Sequence, residues 1–369
     1  MSKRWTVEEA RHMRAALRLA EKGRGRTRSN PIVGAVLVRG GRVVGRGWHR
    51  ALGEPHAEAV ALRQAGPRAR GATLYVTLEP CAHQGRTPPC TDALIAAGVA
   101  RVVVGLKDPH RIVNGRGLRA LRRAGVRVEA GLLEREARAA LAAYLKAMTR
   151  GLPRVTWKVA TTLDGKVADA RGRSSWITGP ESRRTVHRWR AGSDAVVVGA
   201  GTARADDPRL TARPGFAAAQ PLRVVCDSKL RLPSSLRLLS PPLARGTVVA
   251  CVAGAPGARE RELRARGVQV WRLPATRGRV SPRALLRRLA RAGCHEVLLE
   301  SGPTLGGAWV RAGLVDRLVL MASPLVLGSE GLSWCAGLGG RPLARALRAA
   351  ELHVDRAGRD VVLSAEGLG

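Results

Sequence analysis

The stretch Glu79–Cys90 reads EPCAHQGRTPPC and holds two of the chain's six cysteines, with a histidine and a Pro-Pro pair between them. Upstream stands EPHAEAVAL, which contains His56 and Glu58. Pro55 and Pro89 each read as the start of a helix, which puts His56, Glu58 and Cys90 into first turns. A helix N-terminus carries partial positive charge, and this favours the thiolate that binds metal. His56, Cys81 and Cys90 are therefore candidate ligands of one zinc ion. Zinc held by three protein groups keeps a fourth position for water, the arrangement of a catalytic site, and lowers that water's pKa to roughly 7. Side chains at i and i+2 do not share a helix face, so Glu58 is no neighbouring ligand of His56. Beside the open position it suits a different task, the carriage of a proton from water to a leaving amine. H-x-E followed by P-C-x-x-C is the zinc nucleobase-deaminase signature; here Cys90 lies further from Cys81 than that gap. Two other readings stand beside it. A structural site would want a fourth ligand, for which His83 is at hand, and a disulfide would join Cys81 to Cys90. The remaining Cys226, Cys251, Cys294 and Cys335 show no paired spacing and read as core thiols, which disfavours a disulfide framework.

The elements that must position these groups belong to a chain of 369 residues, enough for two domains with a core each. Its apolar fraction of 45% is that of a globular protein. No apolar run approaches the ~20 residues that cross a bilayer. Thr6 and Glu9 match a capping box, and Ala10, Met13, Leu17 and Ala20 follow at helical intervals. Glu8, Glu9 and Glu21 argue against a transit peptide, so a cytoplasmic protein is expected. The net charge of +36 raises the question of nucleic acid. However, Arg dominates every region beside abundant Ala and Gly, and the few Lys are not gathered into runs. A solvated basic surface from a biased genome fits better, and arginine also suits an anionic small-molecule substrate. No nucleic acid and no membrane is expected as partner.

The first part alternates strands and helices. IVGAVLV and RVVGRGWH flank the turn dipeptide Gly40-Gly41, then come a helix from about Pro55, ATLYVTL, a helix from about Pro89, RVVVGL, a helix over Gly117–Ala124 and another near Leu133–Met148. Periodicity lapses at Thr149–Pro153, which divides the chain into residues 1–148 and 153–369. The second part restarts with RVTWKVATTLDG and runs through further β-branched strands with helices between them, again α/β. The Pro- and Ser-rich segment Gln220–Pro242 reads as surface loops. GAGTARADDP has only two glycines of a dinucleotide fingerprint, a weak signal. VLLESGPTLGGAWV is a strand, a Gly-rich turn and an apolar helix, and such a turn lets N–H groups at the helix start hold a phosphate.

NPIVGAVLV, GEPHAEAVAL, YVTLEPCAHQGRTPPCTDALIAAGVARVVVGLKDP and GRGLRALRRAGV resemble the deaminase half of the bifunctional riboflavin-biosynthesis deaminase/reductase family. KVATTLDGKVA, SSWITGPESRRTVHRWRAGSDAVVVGAGTARADDPRLTAR, RVVCDS and LLESGPTLGGAWVRAGLVDRLVL resemble its reductase half. The resemblance implies a cytidine-deaminase-like three-layer α/β/α domain followed by a dihydrofolate-reductase-like α/β domain, with zinc and NADPH as cofactors. It implies that Asn30, His49 and His83 line a pyrimidine pocket and that Asp108 lies near the ribose phosphate. The family commonly reads D-P-N-P there, where this chain has Asp108-Pro109-His110-Arg111, and Ala82 replaces the more usual Ser. For the second half it implies Thr161, Trp176, Thr202, Asp206, Ser228 and the loop Gly302, Pro303, Thr304, Leu305, Gly306, Gly307, Ala308 at the cofactor. Ser174, Arg190, Leu210, Arg213 and Glu300 would hold the substrate, with Arg190 and Arg213 as forks for its phosphate. Arg204 would stand near a 2′-phosphate and Lys158 near the sugar. The implied substrate is a phosphorylated aminopyrimidine, deaminated and then reduced in its ribosyl group, and a homo-oligomer is expected.

Overall fold

The computed structural model describes residues 5–85, 88–174, 177–213, 215 and 220–368, and divides into two compact units, Met1–Gly151 and Leu152–Gly369. The first unit contains α1 (Val7–Glu21), β1 (Gly34–Arg39), β2 (Arg42–Trp48), α2 (Ala57–Ala65), β3 (Thr73–Leu78), α3 (Cys90–Ala96), β4 (Arg101–Leu106), α4 (Arg116–Arg123), β5 (Arg127–Ala130), α5 (Glu134–Ala140) and α6 (Ala142–Arg150). The capping box at Thr6 and Glu9 is formed. The sheet order is β2-β1-β3-β4-β5, with β1 antiparallel to β2 and β3, and β3, β4 and β5 parallel. Gly40 and Gly41, both at positive φ, turn β1 into β2. Strand alternation feeds two cores. Ala35, Leu37, Leu74, Val76, Val102 and Val104 pack with Ala57, Ala61, Leu94 and Leu121 of α2, α3 and α4. On the opposite face Val36, Val38, Tyr75 and Val103 pack with Met13 and Ala16 of α1. This is the expected three-layer arrangement. The helix expected over Leu133–Met148 is interrupted at Leu141, which leaves the helical region between α5 and α6.

The second unit contains β6 (Arg154–Thr162), β7 (Lys166–Ala168), α7 (Pro180–Gly192), β8 (Ala195–Gly199), α8 (Ala200–Asp206), β9 (Leu222–Cys226), β10 (Thr247–Val252), α9 (Gly257–Ala265) and β11 (Gln269–Leu273). Then follow β12 (Ala275–Thr276), β13 (Arg279–Val280), α10 (Pro282–Arg291), β14 (Glu296–Leu299), α11 (Pro303–Arg311), β15 (Arg317–Ser323), β16 (Leu332–Ser333), β17 (Glu351–Ala357) and β18 (Asp360–Glu366). The nine-stranded sheet is ordered β11-β10-β9-β8-β14-β6-β15-β18-β17. Its strands from β11 to β15 are parallel, and β18 and β17 close one edge as an antiparallel hairpin. One face packs Val155, Trp157, Val197 and Leu299 against Leu285, Leu289 and Trp309 of α10 and α11. On the other, Val196, Val225 and Val249 meet Leu263 and a run of leucines, Leu230, Leu232, Leu236, Leu238 and Leu239. That run corrects the reading of surface loops in Gln220–Pro242. After β9, which PLRVVCDS predicts, the chain becomes a buried irregular cover whose leucines share the sheet face with Ala203 of α8 and Leu263 of α9.

Candidate active sites

In the first unit α2 lies directly on β2. A Cβ at Gly45 would stand 2.3 Å from the Ala61 carbonyl oxygen, and one at Gly47 would stand 2.1 Å from that of Ala57. This close approach fixes the start of α2 over the carboxyl end of β2. His56 is the N-cap, with extended backbone, and Ala57 the first helical residue. The helix thus starts two residues later than the expected Pro55, and His56 stands just outside the first turn. Cys90 is the first residue of α3 behind Pro89, and its N–H donates to Cys81 Sγ at 3.4 Å. Nδ1 of His56 lies 3.2 Å from Cys90 Sγ and 3.6 Å from Cys81 Sγ. The three ligand atoms fall within 4.8 Å of one another, and they form the metal-competent group among the described residues.

These separations fit zinc. Tetrahedral zinc with bonds of about 2.0–2.3 Å spaces its ligand atoms about 3.5–3.8 Å apart. The protonation of the site points the same way. The Cys81 thiol is drawn down to about 4, chiefly by the hydrogen bond from Cys90, while that same bond and burial push the Cys90 thiol up. His56 is raised, first by its contact with Cys81. Glu58 is buried beside Cys90, and desolvation raises its carboxyl above the ordinary range, as a group that must accept and release a proton requires. His83, the candidate fourth ligand, lies outside the cluster, so among the described residues the donor set stops at three.

His49 is buried, and desolvation lowers its pKa. Its Nδ1 donates to the Pro55 carbonyl at 3.3 Å and its Nε2 accepts from the Asn30 amide at 3.0 Å, and its ring meets the His56 ring edge-on. Asn30 and His49 are thus brought to the metal cluster together. Asp108, at the end of β4, is buried and accepts from His110 N–H at 2.8 Å and from the Tyr144 hydroxyl at 3.0 and 3.1 Å. Tyr144 carries no sequence signal for this role, since it lies on α6, far along the chain. Glu79, next to the Pro80-Cys81 pair, was also missed. Its buried carboxylate accepts four backbone N–H groups, from Asp108, Gly115, Gly117 and Leu118.

In the second unit the expected cofactor residues gather at the carboxyl ends of adjacent parallel strands, where open α/β sheets bind ligands. Thr161 is the last residue but one of β6, α8 with Thr202 and Asp206 follows β8, Ser228 follows β9, and Glu300 and Gly302 follow β14. Gly302 N-caps α11, and its N–H points to Thr202 Oγ1 at 3.4 Å. Ser174 donates to Asp206 at 3.1 Å, which joins a substrate candidate to a cofactor candidate. The fit to a dinucleotide phosphate rests on the open first turn of α11 and on Ser301 beside it, whose Oγ is buried without a partner. Gly306 and Gly307 are also points of close packing: a Cβ on Gly306 would stand 2.1 Å from the Trp157 ring, and one on Gly307 would stand 2.5 Å from Gly337. Trp176 lies outside the described residues.

Arg190 grips Glu300 through two parallel bonds of 2.6 and 2.9 Å, with Lys158 at 3.5 Å. Arg213 is exposed at the same end. Leu210 sits at positive φ and is buried, with its side chain in the core.

The comparisons follow this geometry. Residues 6–106 match the family model of the cytidine and deoxycytidylate deaminase zinc-binding region, and residues 153–363 match that of the RibD C-terminal domain. The chain is 41% identical to riboflavin biosynthesis protein RibD of Escherichia coli over 98% of this chain and all of that one. It is 41% identical to RibD of Aquifex aeolicus over 95% of this chain and 96% of the relative. Among solved structures, Acinetobacter baumannii RibD superposes with a TM-score of 0.88 at 38% identity, covering 97% of this chain and 98% of that one. A Thermotoga maritima protein described as a diaminohydroxyphosphoribosylaminopyrimidine deaminase/5-amino-6-(5-phosphoribosylamino)uracil reductase gives 0.85 at 33%, with the same coverage. On full-length similarity in both units, this chain belongs to the RibD family of riboflavin biosynthesis proteins.

Proposed function

We propose that the chain is the bifunctional enzyme of riboflavin biosynthesis that deaminates 2,5-diamino-6-(5-phosphoribosylamino)pyrimidin-4-one and then reduces the ribosyl group of the resulting aminouracil to ribityl. The observation that carries the first half is the three-ligand cluster of His56, Cys81 and Cys90 with a buried carboxyl beside it. Zinc held there supplies, when bound, a Lewis acid that makes a water nucleophilic at neutral pH. Glu58 would hold the proton given up by the attacking water and pass it to the exocyclic amine, which departs as ammonia. Asn30, His49 and His83 orient the pyrimidine, and Asp108 holds the ribosyl phosphate end.

In the second half NADPH supplies the hydride when bound. The start of α11 with Thr202, Ser301 and Gly302 would hold its phosphates, and Thr161, Trp176, Asp206 and Ser228 complete that side. Arg190, Arg213, Ser174, Glu300 and Leu210 hold the substrate, and Lys158 faces its sugar. The substrate is a small phosphorylated pyrimidine rather than a polynucleotide. In support, DDPRLTAR starts at the end of α8, where Asp206 bonds Ser174, and GPTLGG follows β14, where Gly302 meets Thr202. A homo-oligomer is supported by the edge strand β17, which is exposed over most of its length and presents Leu352 and Val354. Six free cysteines accord with a reducing, cytoplasmic setting. No helix among the described residues is long and apolar enough to cross a membrane.

The test is Glu58→Ala. Ammonia release from the diaminopyrimidine should vanish while NADPH oxidation on the deaminated intermediate continues at the unmodified rate. Persistent deamination would remove Glu58 from the proton path.

A further inference from the structure

We infer that Glu79 is a positioning residue for the deamination site, the clasp that holds the loop carrying Asp108 against the metal-binding loop. Its side chain is buried, and its bonded partners among the described residues are backbone N–H groups. Its Oε2 accepts from Asp108 N–H at 3.2 Å and Gly115 N–H at 3.0 Å, and its Oε1 accepts from Gly117 N–H at 3.0 Å and Leu118 N–H at 3.3 Å. The compensation for burying this charge is thus four dipoles, three of them at the start of α4, where the helix field favours an anion. Two glycines are fitted to the clasp. Gly115 takes φ +83, and a Cβ on Gly117 would stand 1.9 Å from the Pro80 carbonyl oxygen. The GRG of the sequence is therefore the imprint of a carboxylate that lies one proline before the ligand Cys81.

What the clasp positions is the segment Lys107–Arg116. Asp108 N–H is bonded to Glu79, and the Asp108 carboxylate is held from the other side by Tyr144 and by His110 N–H. Among the described residues the bonds of Glu79 run to backbone N–H groups of 108–118 and to neither thiol nor His56, so it acts on the substrate end of the site and not on the metal. This inference rests on the reading that Asp108 contacts the ribosyl phosphate end.

Glu79→Gln keeps the shape but turns one oxygen into an NH2 that faces two N–H groups. The loop then loses one pair of charge-assisted bonds. We expect KM for the diaminopyrimidine substrate to rise about tenfold. In the same variant kcat should stay within about twofold and zinc at one per chain, with reductase activity unchanged. Gly117→Ala, which presses on the same seam from the opposite side, should give the same split. An unchanged KM in both variants overturns the inference. So does loss of zinc or of folded protein in both, because the carboxylate would then serve the fold at large. Asp108→Asn separates the two readings: if it raises KM and Glu79→Gln does not, the clasp fails. If Asp108→Asn leaves KM unchanged, the reading of Asp108 fails instead.

Discussion

Glu300 offers a perturbation whose size follows from the structure. Burial alone would push its carboxyl up, but Arg190 first and Lys158 second outweigh it and hold the group at about 2 against an ordinary 4.5. The gap between 4.5 and about 2 corresponds to on the order of 3 kcal/mol of stabilisation at neutral pH. Because the folded value is depressed, this contribution is complete above about pH 4.5 and is lost as pH falls through about 2. Glu300→Gln keeps the volume but leaves Arg190 and Lys158 buried without a counterion. Urea unfolding of both proteins at about pH 7, 5, 4 and 3, followed by hydrogen exchange in peptides from β14 and α11, reads the difference locally. The variant should be less stable by about 3 kcal/mol at pH 7 and 5, with the difference shrinking at pH 4 and further at pH 3. A difference that stays constant from pH 7 to pH 3 would refute the electrostatic account. A variant as stable as the parent at pH 7 would refute it too.

Gly47→Ala would place a methyl 2.1 Å from the Ala57 carbonyl oxygen. It should lift the start of α2, so zinc content measured by elemental analysis falls well below one per chain while NADPH oxidation on the deaminated intermediate persists. Gly306→Ala drives a methyl into the Trp157 ring. It should cost about 1–3 kcal/mol by overpacking and weaken NADPH binding, as measured by fluorescence titration, with zinc content unaffected.

The metal cluster was legible in the sequence because its residue types are distinctive. A proline stands just before His56 and just before Cys90, and histidine and cysteine have few other reasons to recur in such contexts, although Cys81 and Cys90 lie 25 and 34 residues from His56. The central strands were legible too, since β-branched runs between Gly- and Pro-containing turns leave little choice of period, whereas β5 and the terminal hairpin β17–β18 were not read from the sequence. What escaped depends on long-range contacts. The donors to Glu79 lie 29 to 39 residues downstream, and Tyr144 reaches Asp108 across 36. The start of α2 was placed early because Pro55 satisfies a rule for N1, whereas the backbone bends into the helix only after His56. Gly306 and Gly307 read as phosphate-loop glycines, and the space they leave is also filled by Trp157 and Gly337. A glycine signals close approach without saying what approaches. The leucines of 230–239 carry no helical or strand period, so their burial shows only once the sheet face beside them is known.

The central claim is that two chemistries with separate requirements share this chain, one dependent on the ion held by His56, Cys81 and Cys90 and the other on NADPH. The direct measurement supplies the diaminopyrimidine substrate and NADPH together and follows ammonia and NADPH in the same cuvette, with and without prior chelation. Chelated protein should release no ammonia yet oxidise NADPH at the full rate when given the deaminated intermediate, and added zinc should restore the first step. Ammonia release that survives removal of the metal, or reduction of the intermediate that is lost with it, would contradict the account.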